Sequence, residues 1–403
     1  MPSLRDSCEA VLRGNDRGDY TVPAPKLYPH QWAWDSAFAA IGWAYLDAAR
    51  AWRELHTLMA SQWDDGRIPH ITFHIQSEDY FPGPAFWGTE RSSSITQPPI
   101  WATCARRVLE ITDTPSTELK SLVQKIEASH VFFAEHRDPK GLHAVAVVHP
   151  WESGLDNCPA WDGPLARVDV SDPPDFERRD KEATGDASVR PTDEQYLRYA
   201  CLVKAIKDDA FGPGPFAVYD PFMTSVLVRA EEDLAWLAGR VGAKNVAKGA
   251  SKRASSLRGG LQEHLWSDDH GRYLYLDGAA DERIESDVIG CYAPLFCGVD
   301  GERGEKLRTG LMDRYNARYP FPSTAPSDPD FEPRRYWRGP TWINVDWMLL
   351  GAMPKVADKV LALVEKSGCR EYYHPETGEG LGAEDFAWTA ALALDLLARK
   401  EKK

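Results

Sequence analysis

Apolar residues recur every three to four positions through most of this chain, which constrains its fold more than any other feature of the sequence. The clearest stretch opens at Asp220–Pro221, an N-cap followed by Pro at the first helical position. Met223, Val226, Leu227, Ala230, Leu234, Leu237, Ala238 and Val241 then line one face, and Gly242 ends it. Similar amphipathic patterns predict helices over Ser36–Ala60, Pro99–Ile111, Thr117–His136, Thr192–Lys207, Lys244–Leu265, Arg303–Tyr315, Trp342–Gly351, Lys355–Ser367 and Ala387–Lys400. Strand-like runs are few and short, as at Gly141–Val148 and Arg272–Leu276. Three acidic turns containing Gly echo one another: Arg137–Leu142, Ser267–Tyr273 and His374–Glu379. They suggest repeated helix–turn–helix units, with Gly supplying positive φ.

Pro and Gly concentrate in long loops at Ile68–Pro98, His149–Pro191 and Tyr319–Pro340. These are rich in Trp, Tyr, Phe and Arg and read as walls of a site. No low-complexity linker divides the chain, so one all-α domain over residues 1–403 is expected, with functional loops and a few short β-hairpins.

The formal charge of −14 argues against nucleic acid and against an anionic membrane surface. No apolar leader follows Met1, and no run approaches the roughly 18 apolar residues of a membrane span. The 7 cysteines show no Cys-x-x-Cys spacing, which fits reduced thiols in a cytoplasmic protein. Cys291 and Cys297 have no paired His, so a zinc site is not expected.

With 15 Trp and 15 Tyr, the chain is well supplied with faces that suit sugar rings, although such residues also fill large cores. Three acidic–aromatic clusters stand out. Tyr28–Phe38 gathers Tyr28, Gln31, Trp32, Trp34 and Asp35 at a helix start, where Asp35 either grips sugar hydroxyls or simply caps. Trp151–Asp162 sets Glu152, Asp156 and Asp162 between two Trp in irregular backbone. A carboxyl held against apolar rings has a raised pKa, as a general acid near neutral pH requires. Glu371–Trp388 offers Glu371, Glu376, Glu379, Glu384 and Asp385 as bases, and spacing alone does not choose among them. Arg334–Trp342 and Gln97 in Ile95–Trp101 add further polar and aromatic groups. Two carboxylates from distant parts of the chain are the general requirement of glycoside cleavage.

Taken together, these segments resemble the (α/α)6-barrel glycosidases of glycoside hydrolase family 63, with trehalase and glucosidase I types as relatives. Glu152-Ser-Gly-Leu-Asp156 resembles their acid motif, Tyr336–Trp342 their Arg-Gly-Pro segment, Trp32–Asp35 their −1 subsite, and Gly378–Ala390 their base motif. Counting nine residues back from Trp388 places the base on Glu379. The resemblance implies an inverting enzyme with Asp156 as acid and Glu379 as base.

The short chain is similar to compact bacterial enzymes that hydrolyse mannosylglycerate and glucosylglycerate, which share Tyr-Pro-His-Gln-Trp-x-Trp-Asp with Tyr28–Asp35. By that resemblance Arg190 and Tyr196 would hold glycerate, with Tyr80, Gln97, Tyr336 and Trp337 completing the wall. Asp35 and the Trp32–Trp34 pair would grip the hexose, with Tyr28, Gln31, Trp151 and Trp388 as further substrate-binding residues. Leu155 stands where relatives often have an aromatic, and Leu381–Ala383 departs from the trehalase pattern, so trehalose is not the expected substrate.

The expected substrate is a small anionic α-glycoside, with no metal or organic cofactor required. Alternatives are an α-glucosidase acting on another small α-glycoside, a sugar epimerase using paired His (His30, His70, His74 and His149 are available), and a non-catalytic sugar-binding module. Exposed Trp on the loops would favour a homo-oligomer.

Overall fold

The computed structural model describes residues 2–75, 80–178, 187–212 and 214–401. Its main helices are α1 (Leu4–Gly14), α2 (Ala33–Ala44), α3 (Ala48–Ala60), α4 (Trp101–Thr112), α5 (Leu119–His136), α6 (Asp193–Asp208), α7 (Pro221–Arg240), α8 (Lys244–Gly260), α9 (Gly301–Arg314), α10 (Ile343–Leu349), α11 (Val356–Ser367) and α12 (Ala387–Glu401). Local chemistry sets their starts. Asp220 accepts from the Phe222 N–H with Pro221 behind it, and Thr192 forms a capping box with Gln195. Helix α1 also starts on a capping box, between Ser3 and Asp6.

The helices form two concentric layers. In the inner layer α2 packs on α4, α4 on α7, α7 on the 3-10 helix Ile289–Leu295, that helix on α10, α10 on α12, and α12 on α2, so the ring closes. Outside it, α1 packs on α12, α3 on α2, α5 and α8 on α7, α9 on the 3-10 helix, and α11 on α10 and α12. This is an all-α (α/α)6 barrel. Burial follows the layers. Every residue of α2 and α10 is buried, as is α12 from Ala387 through Leu396, while α9 buries only Gly304, Leu307 and Leu311. A helix apolar on most of its faces belongs inside, and the few polar residues of these, such as Asp346 and Asp395, are buried with it.

The three echoing turns each follow an outer helix, and Gly141, Gly271 and Gly378 hold φ of 67°, 60° and 67°. The stretch expected as one helix over Ser36–Ala60 is two. Helix α2 stops at Tyr45, and the Asp47 carboxylate accepts from Arg50 N–H to start α3. Helix α8 ends in a π-helical turn over Leu261–Leu265. Of the expected strand Gly141–Val148 only Ala146–Val147 pairs, with Val218–Tyr219. No helix among the described residues is long and apolar enough to cross a membrane.

Candidate active site

A cavity of about 320 Å³ is built at the N-terminal ends of four inner helices. Trp34 and Asp35 come from the first turn of α2, Gln97 precedes α4, Trp342 precedes α10, and Trp388 begins α12. Tyr196 comes from the first turn of α6, and connecting segments supply Tyr28, Trp32, His70, Tyr80, Trp151, Asp156, Arg190, Tyr336, Trp337 and Glu371.

Asp156 is placed by a tightly fixed loop. Glu152, in the 3-10 turn Pro150–Ser153, is fully buried. Its carboxylate accepts from the Arg137 guanidinium (2.6–3.0 Å), Val148 N–H (3.1 Å) and Thr96 N–H (3.2 Å). Gly154 then turns the chain at φ 70°, and a Cβ there would lie 2.6 Å from the Trp34 ring, so this position requires glycine twice over. Beyond the acid, Tyr199 O–H donates to the Asp156 carbonyl (2.7 Å), and the Asn157 side-chain oxygen accepts from Trp337 N–H (2.8 Å). Burial pushes the Asp156 carboxyl up to about 7; Arg190 opposes that and Glu371 adds to it. Asp35 is raised well above the ordinary range by burial first, then by Glu371, with Asp156 adding to it.

Glu371 precedes the strand Tyr372–Tyr373, which pairs with Gly380–Leu381. Its carboxylate accepts from Tyr28 O–H (2.7 Å) and Ala383 N–H (2.9 Å), and Arg190 stands 3.6 Å away. Arg190 also donates to the Tyr28 oxygen (3.3 Å) and stacks over Tyr336, 4.1 Å from its ring centre. Tyr336 holds φ 39°, a left-handed backbone that is strained for an aromatic residue and is found here at the cavity wall. Below it Trp337 and Trp342 stack at 3.7 Å, and Trp342 stacks on Tyr372.

The structure therefore brings together Tyr28, Trp32, Trp34, Asp35, Tyr80, Gln97, Trp151, Asp156, Arg190, Tyr196, Tyr336, Trp337 and Trp388. Two expected residues do not join them. Glu379 lies at the turn end of the hairpin, half-exposed, with its carboxylate forked onto Arg334 (2.6 and 3.0 Å), which holds its pKa below the ordinary value. The glycines around it mark a turn towards solvent; Glu371, at the other end of the same hairpin, reaches the cavity. Gln31 is spent below the site. Its amide nitrogen donates to Ser36 and Glu54, and its oxygen meets His74 Nε2 at 2.7 Å, which buttresses the start of α2. Sequence reasoning also passed over Trp342 and Phe386 as cavity residues, although both stand in the motifs it quoted, and left His70 without a place in the site.

The arrangement suits acetal cleavage: a carboxyl that carries its proton near neutral pH, a second carboxylate, indole faces for a pyranose, and a guanidinium for an anion. Comparison with known proteins agrees. The family model described as "Mannosylglycerate hydrolase MGH1-like glycoside hydrolase domain" matches residues 28–389. The mannosylglycerate hydrolase of Thermus thermophilus is 42% identical over 95% of this chain and 98% of its own. The glucosylglycerate hydrolase of Mycolicibacterium hassiacum is 35% identical, over 96% of each chain. A crystal structure of glycoside hydrolase family 63 mannosylglycerate hydrolase from Thermus thermophilus, in complex with Tris and D-glycerate, superposes with a TM-score of 0.91 at 41% identity, covering 98% of this chain and 100% of that one. Fold, cavity chemistry and likeness over nearly the full length thus converge: this chain belongs to the mannosylglycerate hydrolase MGH1-like glycoside hydrolases.

Proposed function

We propose that this enzyme hydrolyses an α-hexoside of glycerate, mannosylglycerate or glucosylglycerate, with inversion, and that its base is Glu371. The observation that carries the reading is the placement of Arg190 between Glu371 and Tyr336 in the cavity that also holds Asp156. A guanidinium there can receive a carboxylate aglycone in paired hydrogen bonds while the hexose stacks among the Trp rings. Asp156 donates its proton to the glycosidic oxygen. Glu371 takes a proton from water attacking the anomeric carbon from the opposite side. Asp35 and the Trp32–Trp34 pair hold the sugar, and Tyr28 orients Glu371.

An epimerase would need paired histidines. Of the described cavity-lining residues only His70 is a histidine, and its Nδ1 is engaged with Ser93 at 2.7 Å.

The test is proton NMR of the first minutes of reaction on both glycerate glycosides, with Glu371→Gln and Glu379→Gln in parallel. β-Hexose is expected first, with Glu371→Gln slowed on the order of 10²–10⁴-fold and Glu379→Gln within a few-fold of wild type. The reverse ranking would return the role to Glu379. Arg190→Ala is expected to raise KM sharply for the anionic glycoside and little for an uncharged one; equal effects would remove glycerate from its role.

A further inference from the structure

Cys8, in the middle of α1, and Cys369, just past the end of α11, are separated by 361 residues in sequence, yet their sulfurs lie 3.7 Å apart. By contrast, Cys291 and Cys297 donate to the carbonyls of Ser286 and Pro294. Both sulfurs of the close pair are buried, but Cys369 lines a second cavity between α1 and α11, with Leu4, Val11, Asn15 and Val364 among its walls. That cavity gives a small reagent a route to Cys369, which would then present the mixed disulfide to Cys8 behind it.

What surrounds the pair matters as much as the distance. Cys369 lies two residues before Glu371, and its carbonyl accepts from Phe386 N–H (2.9 Å), so it touches the chain on both sides of the base hairpin. Asn15, just past α1, donates to the Asp385 carbonyl (2.7 Å), and Ala387 N–H donates to the Pro23 carbonyl (2.8 Å). Movement of Cys369 against α1 is thus passed to Glu371 through two peptide units of backbone and to Phe386 through one hydrogen bond.

We propose that Cys8 and Cys369 are a site of reversible disulfide formation that pulls on the segment carrying Glu371 and so lowers the rate of hydrolysis. The effect on rate rests on Glu371 being the base; the bond itself does not. The oxidant is a low-molecular-weight disulfide. The Cys369 thiolate attacks one of its sulfurs and expels the first small thiol. The Cys8 thiolate then attacks the Cys369 sulfur, closing the protein disulfide and expelling the second. Two protein thiols are oxidised and one small disulfide is reduced to two thiols. The sulfurs close from 3.7 Å to about 2.05 Å. A shift of this order, shared over the segment, is enough to misplace a reacting carboxylate, since misplacements near 1 Å can cost about 10²-fold. The contact with Cys8, with burial, holds the Cys369 thiol well above its ordinary pKa, so the exchange is slow.

The full-length enzyme is incubated with oxidised glutathione for hours, quenched by alkylation, and read by intact mass, peptide mapping and kcat. The expected product is lighter than the reduced chain by two hydrogen atoms, carries a Cys8–Cys369 linked peptide, and has a kcat lowered about tenfold that dithiothreitol restores. Cys8→Ser forms no link and stops at the mixed disulfide, read as the added mass of one glutathione on Cys369. If Cys8→Ser does not fold, the oxidation and recovery of the wild-type enzyme decide alone. The proposal is overturned if the native chain forms no link while the unfolded chain does, or if the linked enzyme keeps its full kcat. Glu371→Gln in fully reduced enzyme separates the two readings, because its activity does not depend on the thiols.

Discussion

Asp156 carries two opposed demands. A carboxyl is useful as a general acid near neutral pH only if its environment disfavours the charge, and that same environment works against the folded state once the proton leaves. Its folded pKa of about 7 stands above the ordinary 3.8, so the native chain holds a proton that the unfolded chain has released. The stability this contributes is complete below about 3.8 and is lost as pH rises through about 7. Asp156→Asn is therefore expected to raise the melting temperature relative to wild type at pH 8 and much less at pH 4, while abolishing turnover. Melting curves of both proteins at the two pH values check this; an equal shift at both would mean that Asp156 is not a protonated acid in the fold. In the wild-type enzyme, kcat/KM is expected to fall as pH rises above about 7.

Between elements, the acid loop shows what the sequence made legible and what it did not. Residues 151–162 announce themselves locally by carboxylates between indoles, and the helix starts by their caps. Partnerships across the chain carry no such local mark. Glu152 reads as another candidate acid, yet it is the anchor that ties Arg137, Val148 and Thr96 together beneath Asp156. Gln31 reads as a sugar ligand beside Trp32, yet it faces Glu54 and Ser36. Counting from Trp388 selects Glu379, because a count along the chain cannot see that the hairpin turns one of its glutamates outward. The break between α2 and α3 was hidden for a related reason: the apolar period runs on through Tyr45–Leu46, and the cap at Asp47 is a single residue. Glu152→Ala leaves Arg137 buried without its partner and is expected to cost roughly 3–5 kcal/mol in denaturant unfolding. A cost below about 1 kcal/mol, the range of an exposed pair, would show that the anchor is dispensable. Gly154→Ala, strained at φ 70° and with its Cβ against the Trp34 ring, is expected to lower stability as well as displace Trp34, and so should raise KM and lower kcat together.

At the scale of the whole molecule, the substrate proposed for this chain is an anion, while the chain's own formal charge is −14. The buried Arg190 would act on it at contact distance, but the approach would be made through the field of the entire surface. Raising salt from about 0.01 M to 0.15 M shortens the Debye length from about 30 Å to about 8 Å. We expect kcat/KM for the anionic glycoside to rise over that range and for an uncharged glycoside to stay level; a fall for the anionic substrate would mean that local attraction dominates its capture. The site is also closed by a contact between distant parts of the chain: Tyr28 donates to Glu371 across 343 residues. During synthesis a nascent chain that has already displayed Trp34, Asp35 and Asp156 still lacks Glu371, the proposed base, and Trp388 is later still. With that base the enzyme would stay silent on the ribosome until translation is nearly finished, and each appearance of activity would report a barrel that has been closed from both ends.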